Sequence, residues 1–521
     1  MNFATEIDAS ARDAPENLAV ADPTRELTYG EFAEETAAVA SVFEDLGVMA
    51  GDRVVLYLPN GVPFVTVYFG AMKRGVVPVP VSFQFELHEI NTLLKNIGAT
   101  AVVTDERIEA ATATLEASTL EHTIVVNGDQ GLAYEDLIAN ADRQYDPVAR
   151  KEYELAELVY TRGITGEPKP VMHTHGNLSA NARAVVRYWE WSRHEVGLTL
   201  CPCFHVFGLH TTTTPLAAAG AENHFPGEWN ESVLERMNAR NVTVTFMTSP
   251  MLNDVLEHGT ENYDLSALKQ VGVVGALSHE RVTTVETDLD CELLRTYGTT
   301  ETMPLAAVAR PGDSVRPPGT VGEPASEVVK VRVEDPRDGT HLSEGKTGEL
   351  LWRGDTVMSG YWNMPEANDE AFVERNGEFW LRSNDLGQLK NGRLLVEGRL
   401  RDAIVTDESL VFSIDVEDTL YQLEGILEAA VVGSADGDSG DEITALIMRA
   451  TDALTAKDVK AHCRDALEAC EVPDTIEFVE QLPAPALRAM NSRSLDQGDW
   501  FKRGGEGKRG PRRWSSSRLD Q

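Results

Sequence analysis

Short apolar runs alternate with segments of helical period, and they keep doing so for about 300 residues. "DRVVLYLP" reads as a buried strand, "VPFVTVYFGAMKRG" as a helix closed by Gly75, and "VVPVPV" as another strand. "ELTYGEFAEETAAVASVFEDLG" is a helical segment opened by a capping-like Thr28. "ATAVVTD", "HTIVVNG", "VTVTFMTSP" and "KQVGVVGALS" continue the alternation, which argues for parallel sheets covered by helices. The longest apolar passage is broken by Pro, Asn, Gly, Lys and Arg, so no membrane span is expected. After residue 318 or so the pattern turns to hairpins ("GTVGEP", "GELLWRG", "LGQLKNGRLLVEGR"), and from Asp402 it becomes α+β. The expected architecture is α/β. A large domain over residues 1–398 holds parallel-rich sheets covered by helices plus a small β-rich subdomain, and a small α+β domain over 399–497 follows. Residues 498–521 are basic and Gly/Ser/Arg-rich, and they are predicted to be disordered.

The formal net charge is -38, with acids spread along nearly the whole chain. Such self-repulsion is tolerable where salt screens it, since the Debye length falls to about 3 Å near 1 M. Scarce lysine beside arginine points the same way, to a salt-rich cytoplasm as in a halophile, and nucleic acid is excluded as a broad partner. The five cysteines fit a reduced cytosolic chain. Cys201-Pro-Cys203 lies near His205 and His210, but no second ligand pair follows, so zinc is not expected.

"YTRGITGEPKPVMHTHGNL", Tyr160 to Leu178, holds the chemistry most worth pursuing. Thr161, Gly163, Thr165, Gly166 and Lys169 combine glycine-freed backbone amides, hydroxyl donors and one cation, which suits a cluster of anionic oxygens. The pattern differs from a Walker loop, because Lys169 follows Pro168 and no Ser or Thr follows the lysine. Taken alone, it leaves a structural turn open beside a phosphate site. Four later segments add to it. "YGTTE" offers the aromatic Tyr297, the turn Gly298, the hydroxyls of Thr299 and Thr300, and Glu301, a carboxylate suited to Mg²⁺. "GELLWRGDTVMSGYWNMPEA" follows, then "FWLRSNDLGQL" with Asp385 and "VEGRLRDAIV" with Arg399, a pair able to bind two ribose hydroxyls.

In order and spacing these segments, with "LTYGEF", "PCFHVFGL" and "GTVGEP", resemble the adenylate-forming superfamily of acyl-CoA synthetases, adenylation domains and luciferases. The resemblance spans about residues 1 to 497. It implies a small mobile C-terminal domain and two half-reactions: a carboxylic acid and ATP with Mg²⁺ give an acyl-adenylate, then coenzyme A displaces AMP. It also implies roles: Thr161 to Lys169 around pyrophosphate, Gly275-Ala276 and Tyr297 about adenine, and Thr300 at the α-phosphate. Glu301 would hold the metal, Asp385 and Arg399 the ribose, Arg401 the hinge, and His205 and Phe207 would lie near the acyl pocket. Oligomeric state is not legible.

The chain also departs from that family. Arg162 and Ile164 replace hydroxyl residues, and losing one such donor costs about 0.5–1.5 kcal/mol. Asp407 and Glu408 replace a glycine pair that lets backbone approach the pantetheine arm, and Ser413 replaces a proline. Arg488-Ala489 stands where the family has Gly-Lys, and a lysine of that kind contributes about 10²–10³ in rate. These departures leave two alternatives beside a CoA ligase: a catalytically impaired binder of nucleotide and acyl ligand, and an adenylating enzyme serving a carrier-protein thiol.

Overall fold

Strand Arg53–Tyr57 shows how the apolar runs are used. It is an inner strand of a five-stranded, all-parallel sheet, with Val77–Pro80 on one side and Ala101–Asp105, His122–Val126 and Leu132–Ala133 on the other. Successive side chains point to opposite faces. Val54 and Leu56 therefore join one core with Phe64, Tyr68 and Phe69, while Val55 and Tyr57 join a second with Ile90, Leu93 and Leu94. Each such buried side chain contributes roughly 1.5–3 kcal/mol relative to exposure. Both faces need cover, so the run is apolar throughout instead of alternating.

The computed structural model describes residues 1–482 except 84, 109–114, 116, 129–130, 162–167, 228, 231, 261, 275–284, 310–319, 401–402, 407–409, 424, 436–440, 452 and 481. They divide into two units, Met1–Val331 with Trp352–Leu381, and Arg332–Leu351 with the described residues from Arg382 on.

In the first unit the helices start and stop where their sequence signals stand. Helix Tyr29–Asp45 opens on a full capping box, in which the Thr28 side chain accepts from the Glu31 amide and Glu31 accepts from the Thr28 amide. Helix Val62–Arg74 ends at Gly75, whose φ of 80° is a left-handed value that glycine adopts without a Cβ penalty. A second, seven-stranded sheet runs Glu292–Leu294, Gln270–Val274, Val244–Thr248, Val196–Thr199, Glu222–His224, Leu18–Ala21, Glu26–Thr28. It is parallel except for the last strand, which joins the edge antiparallel. Antiparallel pairings in this unit include the hairpin Leu155–Thr161 with Lys169–Thr174, and the ladder Thr296–Thr299, Met303–Val308, Thr320–Pro324.

The second unit contains the antiparallel pair Glu378–Lys390, most of it in this unit, and Arg393–Arg399. Strand Asp441–Arg449 lies between Ile426–Ala435, antiparallel, and Thr475–Phe478, parallel. Helices Ser413–Tyr421 and Ala456–Ala466 bury Val416, Leu420, Val459 and Cys463 with Ala429, Val431, Ile443 and Ala445. The α/β character, with parallel sheets in a large first part and a small α+β second part, is as the alternation predicts. All five cysteines are free thiols, and burial pushes Cys201 and Cys203 up to about 12.

Candidate active site

Lys169 opens the second strand of the Leu155–Thr161/Lys169–Thr174 hairpin, in register with Thr161. The segment Ser359–Trp362 lies along that strand. Met172 N–H donates to Gly360 O (2.9 Å), Ser359 N–H to Met172 O (3.0 Å) and Trp362 N–H to Pro170 O (2.8 Å). This stitching puts the Tyr361 ring beneath Lys169, whose Nζ is 4.9 Å from the ring centroid, a cation–π distance. Asn368 fixes the tyrosine backbone from both sides, accepting from Tyr361 N–H at 2.6 Å and donating to Tyr361 O at 3.0 Å. The Tyr361 hydroxyl in turn donates to Glu301 Oε1 at 2.8 Å. Burial, reinforced by the neighbouring Glu301 charge, pushes that phenol well above its ordinary range, so it stays a donor. Lys169 and Glu301, 132 positions apart in the numbering (301 − 169), thus stand on one tyrosine.

Glu301 sits in the turn between strands Thr296–Thr299 and Met303–Val308. Its carbonyl accepts from Met358 N–H (2.8 Å), which ties the turn to the segment carrying Tyr361. Asn177, at the first turn of helix His175–Tyr188, donates to Asp355 O (2.6 Å) and Val357 O (3.2 Å) and steadies the approach to that segment. Within the turn Thr302 Oγ1 accepts from Thr299 N–H at 2.9 Å. Gly298 is obligatory here, since a Cβ on it would lie 2.0 Å from Met303 O. Tyr297 stacks on Trp352 with centroids 5.6 Å apart and planes 29° apart, so one face of its ring is already covered.

His205 caps the short helix Val206–Gly208, accepting from Phe207 N–H at 3.3 Å, and its ring stacks on Phe207 at 5.7 Å. In the second unit Asp385 and Arg399 face each other in register and form an ion pair at 2.9 Å. The carboxylate side is buried and the guanidinium side chain is 41% exposed. Gly163, Thr165, Gly166, Gly275 and Ala276 lie outside the described residues, as do Arg162, Ile164, Arg401, Asp407, Glu408, Arg488, Ala489 and residues 498–521.

One cluster escaped the sequence reading. Glu157, His173 and His210 are fully buried. Glu157 Oε1 accepts from His173 Nδ1 (2.8 Å) and His210 Nε2 (2.6 Å), and its Oε2 accepts from the Tyr68 hydroxyl (2.8 Å). Burial works to raise the Glu157 pKa. The charge of His210 and the hydrogen bonds from both imidazoles outweigh it and hold the carboxylate well below the usual range. A signal was present: Glu157 and His173 occupy inward positions on the two hairpin strands, in register with each other, among the buried apolar Ala156, Leu158, Val159 and Val171. His210 thus faces Glu157 and not the two cysteines of Cys201-Pro-Cys203. Among the described residues this trio is the grouping with metal-ligand proximity.

Comparison with known proteins decides the family. The family described as AMP-binding enzyme matches residues 7–362, and the AMP-binding enzyme C-terminal domain matches residues 415–486. The chain belongs to the AMP-binding enzyme family. Its relatives in that family include an indoleacetate–CoA ligase of Aromatoleum aromaticum, 28% identical, covering 95% of this chain and 98% of the relative. A feruloyl-CoA synthase of an Amycolatopsis species is 29% identical over 91% of this chain and 94% of its own. A long-chain-fatty-acid–CoA ligase of Haemophilus influenzae is 27% identical over 95% and 94%. Among solved structures, ATP-bound MatB from Rhodopseudomonas palustris superposes with a TM-score of 0.76 at 25% identity, covering 92% of this chain and 95% of that one. A fatty acyl CoA synthetase of Mycobacterium tuberculosis shares the fold, with a TM-score of 0.77 at 23% identity over 95% and 99%. Lys169, Glu301 and Tyr361 all lie within the residues 7–362 that the family matches.

Proposed function

We propose that this protein is an AMP-forming carboxylic acid–CoA ligase of fatty-acid type. A carboxylate is a poor electrophile until one of its oxygens becomes part of a good leaving group. In the first half-reaction the carboxylate oxygen attacks the α-phosphorus of ATP and the bond to pyrophosphate breaks. In the second the coenzyme A thiol sulfur attacks the acyl carbon, AMP departs, and the thiol proton is released. The protein contributes placement and charge.

On the family pattern Lys169 neutralises the departing pyrophosphate, with Thr161, Gly163, Thr165 and Gly166 as donors around it. Thr300 donates to the α-phosphate, and Gly298 and Thr299 shape the turn that presents it. Gly275, Ala276 and Tyr297 enclose adenine, Asp385 with Arg399 binds the ribose, and His205 borders the acyl group. Glu301 would hold Mg²⁺ through a hard carboxylate oxygen, and the ion would supply charge neutralisation for the phosphate oxygens. The observation that carries this reading is the single tyrosine whose ring takes the cation of the phosphate hairpin and whose hydroxyl takes the carboxylate of the Thr300–Glu301 turn. Residues 1–398 are proposed as the ATP and acyl domain and 399–497 as the part that changes role between half-reactions. The acidic composition supports a salt-rich cytoplasm as the setting. No helix among the described residues is long and apolar enough to cross a membrane.

Arg162, Asp407-Glu408 and Arg488-Ala489 favour a second reading, a catalytically impaired paralogue that binds nucleotide and acyl ligand but turns over poorly. A separate carrier-protein thiol is the remaining acceptor. The deciding experiment incubates purified protein at 2 M KCl with ATP, Mg²⁺ and a panel of fatty and aryl acids, following pyrophosphate and CoA thioester separately. Both products are expected. Pyrophosphate without thioester selects the carrier-protein thiol as acceptor, and silence from folded protein removes the ligase assignment, with nucleotide binding by calorimetry then selecting the impaired binder.

A further inference from the structure

The His173 ring lies between two acceptors. Its Nδ1 faces Glu157 Oε1 at 2.8 Å, and its Nε2 faces the backbone carbonyl of Thr300 at 2.8 Å. A carbonyl oxygen cannot donate. Both carboxylate oxygens of Glu157 already accept, from the two imidazoles and from Tyr68. The His173 Nε2–H therefore donates to the Thr300 carbonyl, a hydrogen bond made without access to water. The grip is directed from the phosphate hairpin to the turn that presents Thr300 and Glu301. The same carboxylate reaches the acyl-side segment through His210, which sits in the π-helical turn Leu209–Thr213 directly after His205 and Phe207. Such turns recur at functional sites because they hold side chains off the regular helical path. Asn181 holds this turn from below, donating to His210 O at 2.9 Å.

We propose that His173 is a positioning residue for the adenylation half-reaction. It holds the Thr300 carbonyl, and Glu157 anchors it to His210, so that hairpin, acyl-side turn and Thr300–Glu301 turn are locked in one arrangement. The proposal rests on the ligase reading given above. A bound metal is the competing account of the cluster. The two nitrogens that face the carboxylate are directed at a single oxygen, as donors are, and not at a shared vacant point.

Two variants separate positioning from general stability. H173Q places an amide nitrogen near the Nε2 position and keeps the grip on Thr300. H173N places one near Nδ1, keeping Glu157 paired and releasing Thr300. Pyrophosphate release and its ATP and acid KM are measured with thermal melting of each. H173N is expected to lose roughly 10- to 100-fold in kcat with KM for ATP changed less than about threefold, while H173Q stays within about fivefold of the parent. Both melt at similar, lowered temperatures. An H173N enzyme as fast as the parent overturns the proposal, and so do two variants whose rates fall equally, in step with their melting temperatures. Zinc or another transition metal at one equivalent in purified protein also overturns it, since the nitrogens would then be ligands. A parent inactive on the whole acid panel overturns the ligase reading and this proposal together, whereas an active parent beside a fast H173N overturns only the latter.

Discussion

Tyr361 joins two groups of opposite charge with one side chain: its ring takes the Lys169 ammonium and its hydroxyl takes Glu301. Each contact is modest, about 0.5–2 kcal/mol for a cation–π pair and 1.5–3 kcal/mol for a hydrogen bond to a charged group. Their joint effect is orientation, because a carboxylate that swings free must be re-aimed in every turnover. Tyr361→Phe keeps the ring and deletes the hydroxyl. Pyrophosphate release is expected to fall roughly 5- to 50-fold with little change in melting temperature. An unchanged rate would show that Glu301 needs no such support. The sequence placed Lys169 and Glu301 in separate motifs, but nothing in "GYWN" signalled that its tyrosine would join them. Ser413 is a milder departure than it looked. It stands at the first position of helix Ser413–Tyr421, where proline costs no hydrogen bond, and the helix forms with serine in its place.

At the scale of elements, the hairpin Thr296–Val308 combines a register slip with a left-handed residue. Its register slips between Tyr297 and Thr299, and Met303 takes a left-handed φ of 61°, a conformation that non-glycine residues rarely adopt. Gly298 allows the strands to approach, and any Cβ there would strike the Met303 carbonyl and the Pro304 backbone. Gly298→Ala is therefore predicted to lower stability by about 2 kcal/mol or more and to depress turnover further, because Thr300 and Glu301 ride on the next three residues. Thermal unfolding beside a pyrophosphate assay tests this. A variant with parental melting and rate would mean that the turn relaxes freely. Helix limits, by contrast, were readable beforehand. Thr28 with Glu31 and Gly75 act through bonds and sterics local to their own turn, so tertiary context has little to override.

For the whole molecule two opposing electrostatic effects accompany acidification. Protonating carboxylates relieves the repulsion behind a net charge of -38 and would stabilise the fold. Buried groups act the other way. His175, whose Nδ1 accepts from Phe3 N–H, is lowered to about 4 by burial and by Arg150, from an ordinary 6.5. Between those values the unfolded chain binds the proton and the folded one does not. Stability is therefore complete above pH 6.5 and declines by on the order of 3 kcal/mol as pH falls to 4. Glu157, also lowered, adds a second loss that begins as pH falls below its ordinary 4.5. At 2 M KCl surface repulsion is screened and the buried terms should dominate, so melting temperature is expected to fall from pH 6.5 to 4, with a smaller fall in His175→Asn. A flat profile at that salt would contradict the assignment. At constant neutral pH the melting temperature should rise between 0.1 and 2 M KCl, and no rise would remove the salt-rich setting. The amino-acid sequence by itself determined the parallel α/β layering, the helix ends and the family motifs, because periodicity, caps and short signatures act over a few residues. Only the tertiary structure decided that Tyr361 joins Lys169 to Glu301 and that Glu157, His173 and His210 meet beneath Thr300. Those contacts span tens to more than a hundred positions, and each depends on which face of a strand or turn is directed inward once the sheets are covered.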